Sequence, residues 1–365
     1  MFKHYFGRLT DPRRQHKGNF RYPLIEIVFL FFIGALAGKT TYLLIMDFGK
    51  KRLSWLRKFF PYRNGIPSDD TLRRVMIQVI DPQEFVRASV KFLQKLLGSE
   101  YQFIAIDGKT VRGSSDRGRG QEALHIVSSY ARELQMALAQ CSERSKGKEA
   151  PLIRQLLEQL DLSGKLVTID AIGCQREFAQ KIKDKGGEYI FALKENQSEL
   201  LRQIELSFRL LQPLTKTYVD KEGGWIVTKR VSVLQDLRFV DDKEQWQGLK
   251  SLVRIEKQRY NKATGQRQQS VRYYISSIGL DSELAQQLIR GHWSIENQLH
   301  KHLDVAFKED ASRRRLGNSV ENFNILFKLV LSILQHYKPM INKSLARIFN
   351  ELTADTVAIE AILSF

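Results

Sequence analysis

Three carboxylates lying far apart in the chain, Asp107, Asp170 and Glu296, stand in settings that suit one chemistry. The first two each end a short apolar, β-branched run: Phe103-Ile-Ala-Ile-Asp107 and Lys165-Leu-Val-Thr-Ile-Asp170. A buried strand that delivers a carboxylate at its C-terminal end is a common way for α/β folds to place acids in the crevice above a sheet. Glu296 sits inside Arg290-Gly-His-Trp-Ser-Ile-Glu-Asn-Gln-Leu-His-Lys-His-Leu-Asp304, which has a helical pattern. Carboxylates are hard oxygen ligands suited to Mg²⁺, with Mn²⁺ a workable substitute. Three of them converging could hold a pair of divalent cations, which would clamp the attacking and leaving oxygens of an in-line phosphoryl displacement. Taken singly, each aspartate is equally at home as a turn residue or helix cap; the three in order carry the metal-site reading.

The flanking residues extend this picture. Lys109 and Arg112 follow the first aspartate closely, where they could meet substrate phosphates or remain solvated loop cations. His292, Glu296 and His300 recur every four residues and so share one helical face. A zinc hydrolase is disfavoured because the His-Glu-x-x-His spacing is absent. His292 and His300 are therefore expected to hydrogen-bond DNA phosphates or to orient Glu296, and Trp293 to pack the helix. Asp304 would lie about 12 Å further along a helix axis, so it and Glu309 and Asp310 are expected to cap helices or pair with Arg313 to Arg315.

Charge agrees with a phosphate-bearing substrate. The 365 residues carry a formal net charge of +18, and a polyanion gains by counterion release when such a protein neutralises its phosphates. With 43% apolar residues the chain can build more than one core. Two cysteines, Cys141 and Cys174, lack the spacing of a zinc ribbon or disulfide framework and fit buried thiols in a reducing cytoplasm. The apolar run Leu24 to Ala37 contains Glu26 and is shorter than a membrane span, so it is expected to be a buried helix. Gly34-Ala-Leu-Ala-Gly38-Lys39-Thr40 has one residue too few for a phosphate-binding loop, and Asp107-Gly-Lys-Thr110 lacks the first glycine.

These residues need elements to position them. Up to residue 98 the pattern is helical and basic, with Arg13, Arg14, Lys17 and Arg21 ahead of the apolar run. Ser68 or Asp69 caps a helix that carries Arg73 and Arg74. That helix suits either the reading helix of a helix-turn-helix or a solvated basic face. From Tyr101 the grammar is a strand ending at Asp107, a hairpin over 123–140, a helix over about 149–160, the strand to Asp170, a helix to Lys185, the strand 188–193 and a helix over about 196–211. Three strands, helix, strand, helix, strand is the order of a ribonuclease-H-like α/β core. In it the first and fourth strands lie side by side, bringing Asp107 beside Asp170. Residues 213–280 read as a mostly β insertion and those from Val320 as closing helices broken by Pro339. The expected organisation is an N-terminal helical domain (1–98), a catalytic domain (99–335) and a C-terminal closure (336–365).

Three motifs, Ile106-Asp-Gly-Lys-Thr-Val-Arg-Gly113, Thr168-Ile-Asp-Ala-Ile-Gly-Cys-Gln175 and His292-Trp-Ser-Ile-Glu-Asn297 followed by Leu303-Asp-Val-Ala-Phe-Lys-Glu-Asp310, resemble the DDE transposases of bacterial insertion sequences. The similarity is to the branch that includes the H-repeat-associated proteins of Rhs elements. Asp11-Pro-Arg13, Arg21-Tyr-Pro-Leu24 and Gly65-Ile-Pro-Ser68 extend it to the N-terminal region. The resemblance implies a magnesium-dependent DNA nuclease and strand transferase with Asp107, Asp170 and Glu296 as its acids. Its partners would be the element's terminal inverted repeats and target DNA, engaged by a homodimer in the bacterial cytoplasm, nucleoid-associated when bound and away from any membrane. Where related transposases place a tyrosine, an arginine and a lysine around the glutamate, this chain has Ile289, His292 and Leu303. The alternative is a remnant that binds DNA and has lost transposition.

Overall fold

The computed structural model describes residues 1–13, 21–144 and 149–363, so Arg14 and Lys17 of the N-terminal basic group lie outside the described residues. The chain forms two compact units. One comprises Met1–Glu100, Gly108–Lys148 and Glu296–Phe365; the other comprises Tyr101–Asp107 and Glu149–Ile295.

In the first unit, helices α1 (Phe2–Phe6), α2 (Leu24–Leu36), α3 (Tyr42–Lys51), α4 (Leu53–Leu56), α5 (Asp69–Arg74) and α6 (Pro82–Leu97) come first. Helix α2 is the expected buried helix, with every residue except Ile25 buried, as an element apolar all round must be. Its one acid is kept by hydrogen bonds. Glu26 accepts from the Tyr62 backbone N–H at 3.0 Å, and the Tyr62 hydroxyl donates to the Glu26 carbonyl at 2.8 Å. No described helix is long and apolar enough to cross a membrane.

Strand β1 (Phe103–Val111) passes from one unit into the other, and β2 (Leu124–Ala131) and β3 (Met136–Glu143) form the expected hairpin in the first unit. The second unit then builds α7 (Glu149–Gln159), β4 (Leu166–Ile169), α8 (Arg176–Asp184), β5 (Glu188–Leu193) and α9 (Ser198–Leu210). It continues with β6 (Leu214–Glu222), β7 (Trp225–Leu234), β8 (Ser251–Asn261), β9 (Arg267–Ser276) and α10 (Ser282–Ser294). The strand order is β3-β2-β1-β4-β5-β9-β8-β7-β6. Strands β1, β4 and β5 are parallel, and β5, β9, β8, β7 and β6 pair antiparallel.

The segment read as a mostly β insertion forms β6 to β9, and β9 returns along β5 in the register Ile190↔Ser276 to Leu193↔Tyr273. One expectation changes. Strand β1 does not stop at Asp107 but runs on to Val111. Its parallel pairing with β4 does stop there, the last partners being Ile106 and Ile169. Helix α10 packs on β4, β6 and β7, where Ala285 and Ile289 join a core of Ile190, Val231, Val233, Val253 and Tyr274.

Back in the first unit, α11 (Lys301–Phe307), α12 (Ser319–Ile341), α13 (Leu345–Ala354) and α14 (Thr356–Leu363) complete the chain. Helix α12 packs against α2, α6 and β3 and is buried over most of its length. Pro339 lies inside it and does not break it. Only two residues remain before the helix ends, so the lost backbone bond falls in the last, exposed turn.

Candidate active site

Within the second unit, register places two of the three acids. Since Ile106 faces Ile169 in parallel strands, Asp107 and Asp170 are the next residue on each and leave the paired region together. Asp170 turns at once into a short 3₁₀ turn, Ala171–Gly173, and its carboxylate accepts from the Ile172 N–H at 3.1 Å. Gly173 is required for that turn, because a Cβ there would meet Ile169 Cγ2 at 2.1 Å. Burial is the main cause of a raised Asp170 pKa, and the negative charges of Glu149 and Asp107 add to it; the Ile172 N–H and Lys194 only partly offset them. Glu149, the first residue of α7, is the acid that sequence reasoning passed over. An acid in a first helical turn looks like an ordinary dipole partner, and only the tertiary fold brings its charge to bear on Asp170.

His292, on α10, has Nδ1 3.0 Å from Thr168 Oγ1, two residues before Asp170. Ile289, one turn earlier on the same helix, is buried, and so is Leu303 in the first unit.

Within the first unit, Glu296 lies on a π-helical turn, Ile295–His300, that directly follows α10 and leads into α11. Such turns are rare and concentrate at functional positions. The Glu296 side chain is 55% exposed, whereas that of His300 is 4% exposed, with Nδ1 3.2 Å from Glu296 Oε2. Of the two roles expected for His300, this placement suits orienting the carboxylate, since a buried ring cannot reach a phosphate. The same turn is anchored by Gln298, whose side chain meets the Tyr130 hydroxyl at 3.1 Å and whose carbonyl accepts from Gln335.

The cations beside Asp107 divide. Lys109 is nearly buried and donates to Asp304 at 2.6 Å and Glu309 at 2.9 Å, with Asp310 at 3.6 Å. Glu309 and Asp304 hold its pKa above the usual lysine value against the opposing effect of burial. The expected pairing of Glu309 and Asp310 with Arg313 to Arg315 is replaced by this arrangement. Glu309 also accepts from Asn324 at 2.7 Å, and Asp310 accepts from the Arg112 N–H at 3.2 Å. The close approach has a steric basis at Gly113, where a Cβ would lie 2.0 Å from the Ser312 carbonyl oxygen. Arg112 differs in exposure, its side chain 84% exposed with Nε 3.8 Å from Asp310 Oδ2.

Helix α5 begins as expected, with Ser68 Oγ accepting from the Thr71 N–H. It is only six residues long and passes into a π-helical turn, Val75–Val79. Arg73 lies over the Tyr42 ring at 5.9 Å, and Arg74 reaches the Asp70 carbonyl at 3.4 Å. Both cysteines are buried.

The donor chemistry fits a hard divalent cation. Asp107 and Asp170, leaving paired strands together in the second unit, offer hard oxygen ligands, and the raised Asp170 pKa is what a bound cation would offset.

The family model described as "Transposase DDE domain" matches residues 98–333, and the one described as "DDE_Tnp_1-associated" matches residues 3–93. "Putative transposase YncI" of Escherichia coli O157:H7 is 35% identical, over 99% of this chain and 93% of that protein. "H repeat-associated putative transposase YhhI" of Escherichia coli K12 is 32% identical, over 86% of this chain and 85% of that protein. Among solved structures, the piggyBac transposase in its synaptic complex with hairpin DNA aligns with a TM-score of 0.47 at 11% identity, over 94% of this chain and 73% of that one. With a domain match spanning well over half its length and H-repeat relatives along most of it, the chain belongs to the DDE transposases, in the H-repeat-associated branch.

Proposed function

We propose that this transposase cuts the ends of its insertion sequence and joins them to target DNA, using Asp107, Asp170 and Glu296 as the carboxylates for two magnesium ions, which manganese can replace. Bound there, the metal would supply the positive charge that makes water, and then a 3′ hydroxyl, nucleophilic towards a phosphodiester. Asp107 and Asp170 fix their end of the site through the β1/β4 register. Glu296 is steadied by His300, and His292 holds α10 to β4 through Thr168. Arg112, whose side chain is solvent-facing, meets phosphates flanking the cut.

The observation that carries the reading is the paired exit of Asp107 and Asp170 from adjoining parallel strands, in a chain of this family. The order β3-β2-β1-β4-β5, with β1, β4 and β5 parallel, supports a ribonuclease-H-like core. In this reading residues 1–98 form a helical DNA-binding domain, 99–335 the catalytic domain and 336–365 its closure. The partners are duplex DNA, as terminal inverted repeats and target, and a second protomer to hold the second end.

Oligonucleotides carrying the element's ends provide the test. Nicking or joining is expected only with Mg²⁺ or Mn²⁺, and Asp107→Asn, Asp170→Asn and Glu296→Gln should each abolish it. Asp304→Asn should leave it measurable, since Asp304 is engaged by Lys109. Undiminished cleavage by any of the first three variants on a denaturing gel would remove that residue from the metal site.

A further inference from the structure

We propose that a cavity in the first unit, separate from the carboxylates, seats backbone phosphates of DNA. It encloses about 640 Å³, and Tyr42, Arg73, Asp116, Arg119, Lys308 and Arg313 are among its lining residues. This deepens the transposase reading and rests on it.

The cavity is built around charge. Arg314 and Arg315 also line it, giving six cations against the single carboxylate of Asp116. Asp116 is already taken, since Arg315 reaches it at 3.3 Å. Arg314 belongs to the wall itself: its guanidinium lies 3.7 Å from the centre of the Phe323 ring and donates to Ser312 Oγ at 2.8 Å and to the Thr40 carbonyl. Burial pulls its pKa down to about 10, so it remains a cation at neutral pH. Arg315 is fixed through its backbone too, its carbonyl accepting from Gln121 at 2.8 Å and Arg144 at 3.1 Å.

That leaves Arg119, Lys308 and Arg313, none of which pairs with a carboxylate among the described residues. Arg73 is stacked on Tyr42 with Asp70 no nearer than 4.0 Å. Like charges gathered in one concavity repel, and an anion with several oxygens relieves them together. Lys308 adds a second sign of purpose. It closes α11 with φ 53°, in the left-handed conformation. Glycine or asparagine suits that position better, so a lysine is kept there at some backbone cost. The volume exceeds a lone phosphate group and accommodates a length of sugar–phosphate backbone. Phosphate contacts of this kind position DNA without reading its sequence.

The test uses full-length protein carrying Asp107→Asn, without divalent metal, so that cleavage does not enter. Binding to a fluorescein-labelled 30-base-pair duplex lacking element ends is followed by anisotropy as NaCl is varied. The variant with Arg119→Ala, Lys308→Ala and Arg313→Ala together is expected to show a log K against log salt slope shallower by about 2 to 3, near 0.9 for each phosphate no longer neutralised. Arg313→Lys alone should keep its phosphate, and thermal melting should show the triple variant folded. An unchanged slope in the folded triple variant, while the parent binds DNA, overturns the phosphate seat and leaves the transposase reading standing. No duplex binding by the parent overturns both. A parallel titration with inorganic phosphate separates the other source of the same chemistry: stabilisation by phosphate that the triple variant loses, with an unaltered DNA slope, would assign the cavity to a small anion.

Discussion

Thr168 and His292 meet at 3.0 Å, Oγ1 to Nδ1, although 124 residues separate them in the chain. The contact ties β4, two residues before Asp170, to α10, four residues before Glu296. It is a hydrogen bond between partly buried groups, and Thr168 Oγ1 also lies 3.4 Å from the Ile104 carbonyl oxygen. Thr168→Val keeps the shape and removes the hydroxyl. We expect it to cost about 1–3 kcal/mol in urea unfolding. A midpoint equal to wild type would mean that His292 is held by other groups.

Burial, and then the charges of Glu149 and Asp107, raise the Asp170 pKa and so disfavour its charged form in the fold. In the absence of metal, Asp170→Asn should therefore raise the melting temperature. Mg²⁺ should raise that of the wild type, because a ligand that binds only the folded state stabilises it. The variant should lose most of that response. A magnesium shift of equal size in both proteins would place the ion elsewhere.

Lys109 holds three carboxylates, and Glu309 among them is buried. Lys109→Met removes the charge while keeping most of the side-chain volume, so it leaves an uncompensated acid inside the unit. Breaking a buried pair in this way costs about 3–5 kcal/mol. Pairing the change with Glu309→Gln should recover part of the loss in chemical denaturation. If the two losses simply add, the pair is not coupled as described.

Lys328, on α12, is buried and donates to Ser128 Oγ at 2.7 Å and Gln140 Oε1 at 2.8 Å. Burial lowers its pKa to about 7 from 10.5, with the charge of Lys109 pushing the same way and Glu309 and Glu321 opposing. Between those two values the unfolded chain binds the proton and the folded chain does not. The sign follows: this group's contribution to stability rises with pH across that window, by at most about 1.4 kcal/mol per unit, and its cost is greatest below pH 7. Lys328→Met should lack that rise, so urea midpoints at pH 7, 8 and 9 should converge between variant and wild type. Parallel pH profiles would mean that Lys328 stays charged in the fold.

Much of this was legible in the chain itself. The apolar runs before Asp107 and Asp170, the hairpin, the strand 188–193 and the buried α2 all follow from local periodicity, because burial of a strand or helix face is written into every second or every third and fourth residue. Family membership followed from three short motifs in order. What local pattern cannot carry is pairing over distance. Only the folded sheet shows which core strand the segment after 213 pairs with, because β9 gains its hydrogen bonds from β5. Lys109 looked like a phosphate contact or a solvated cation until Asp304, Glu309 and Asp310 came round to it, and Glu149 looked like a helix start until its charge fell on Asp170. The π-helical turn at Glu296 also belongs to the tertiary structure. Its residues read as ordinary helix, and the widened turn coincides with side chains held from outside it, as Gln298 is by Tyr130 and Gln335. Sequence set which groups were available and on which elements; the long-range pairing of those elements decided which charges were neutralised inside the fold and which were left facing solvent, because a buried charge must find its partner wherever the chain brings one.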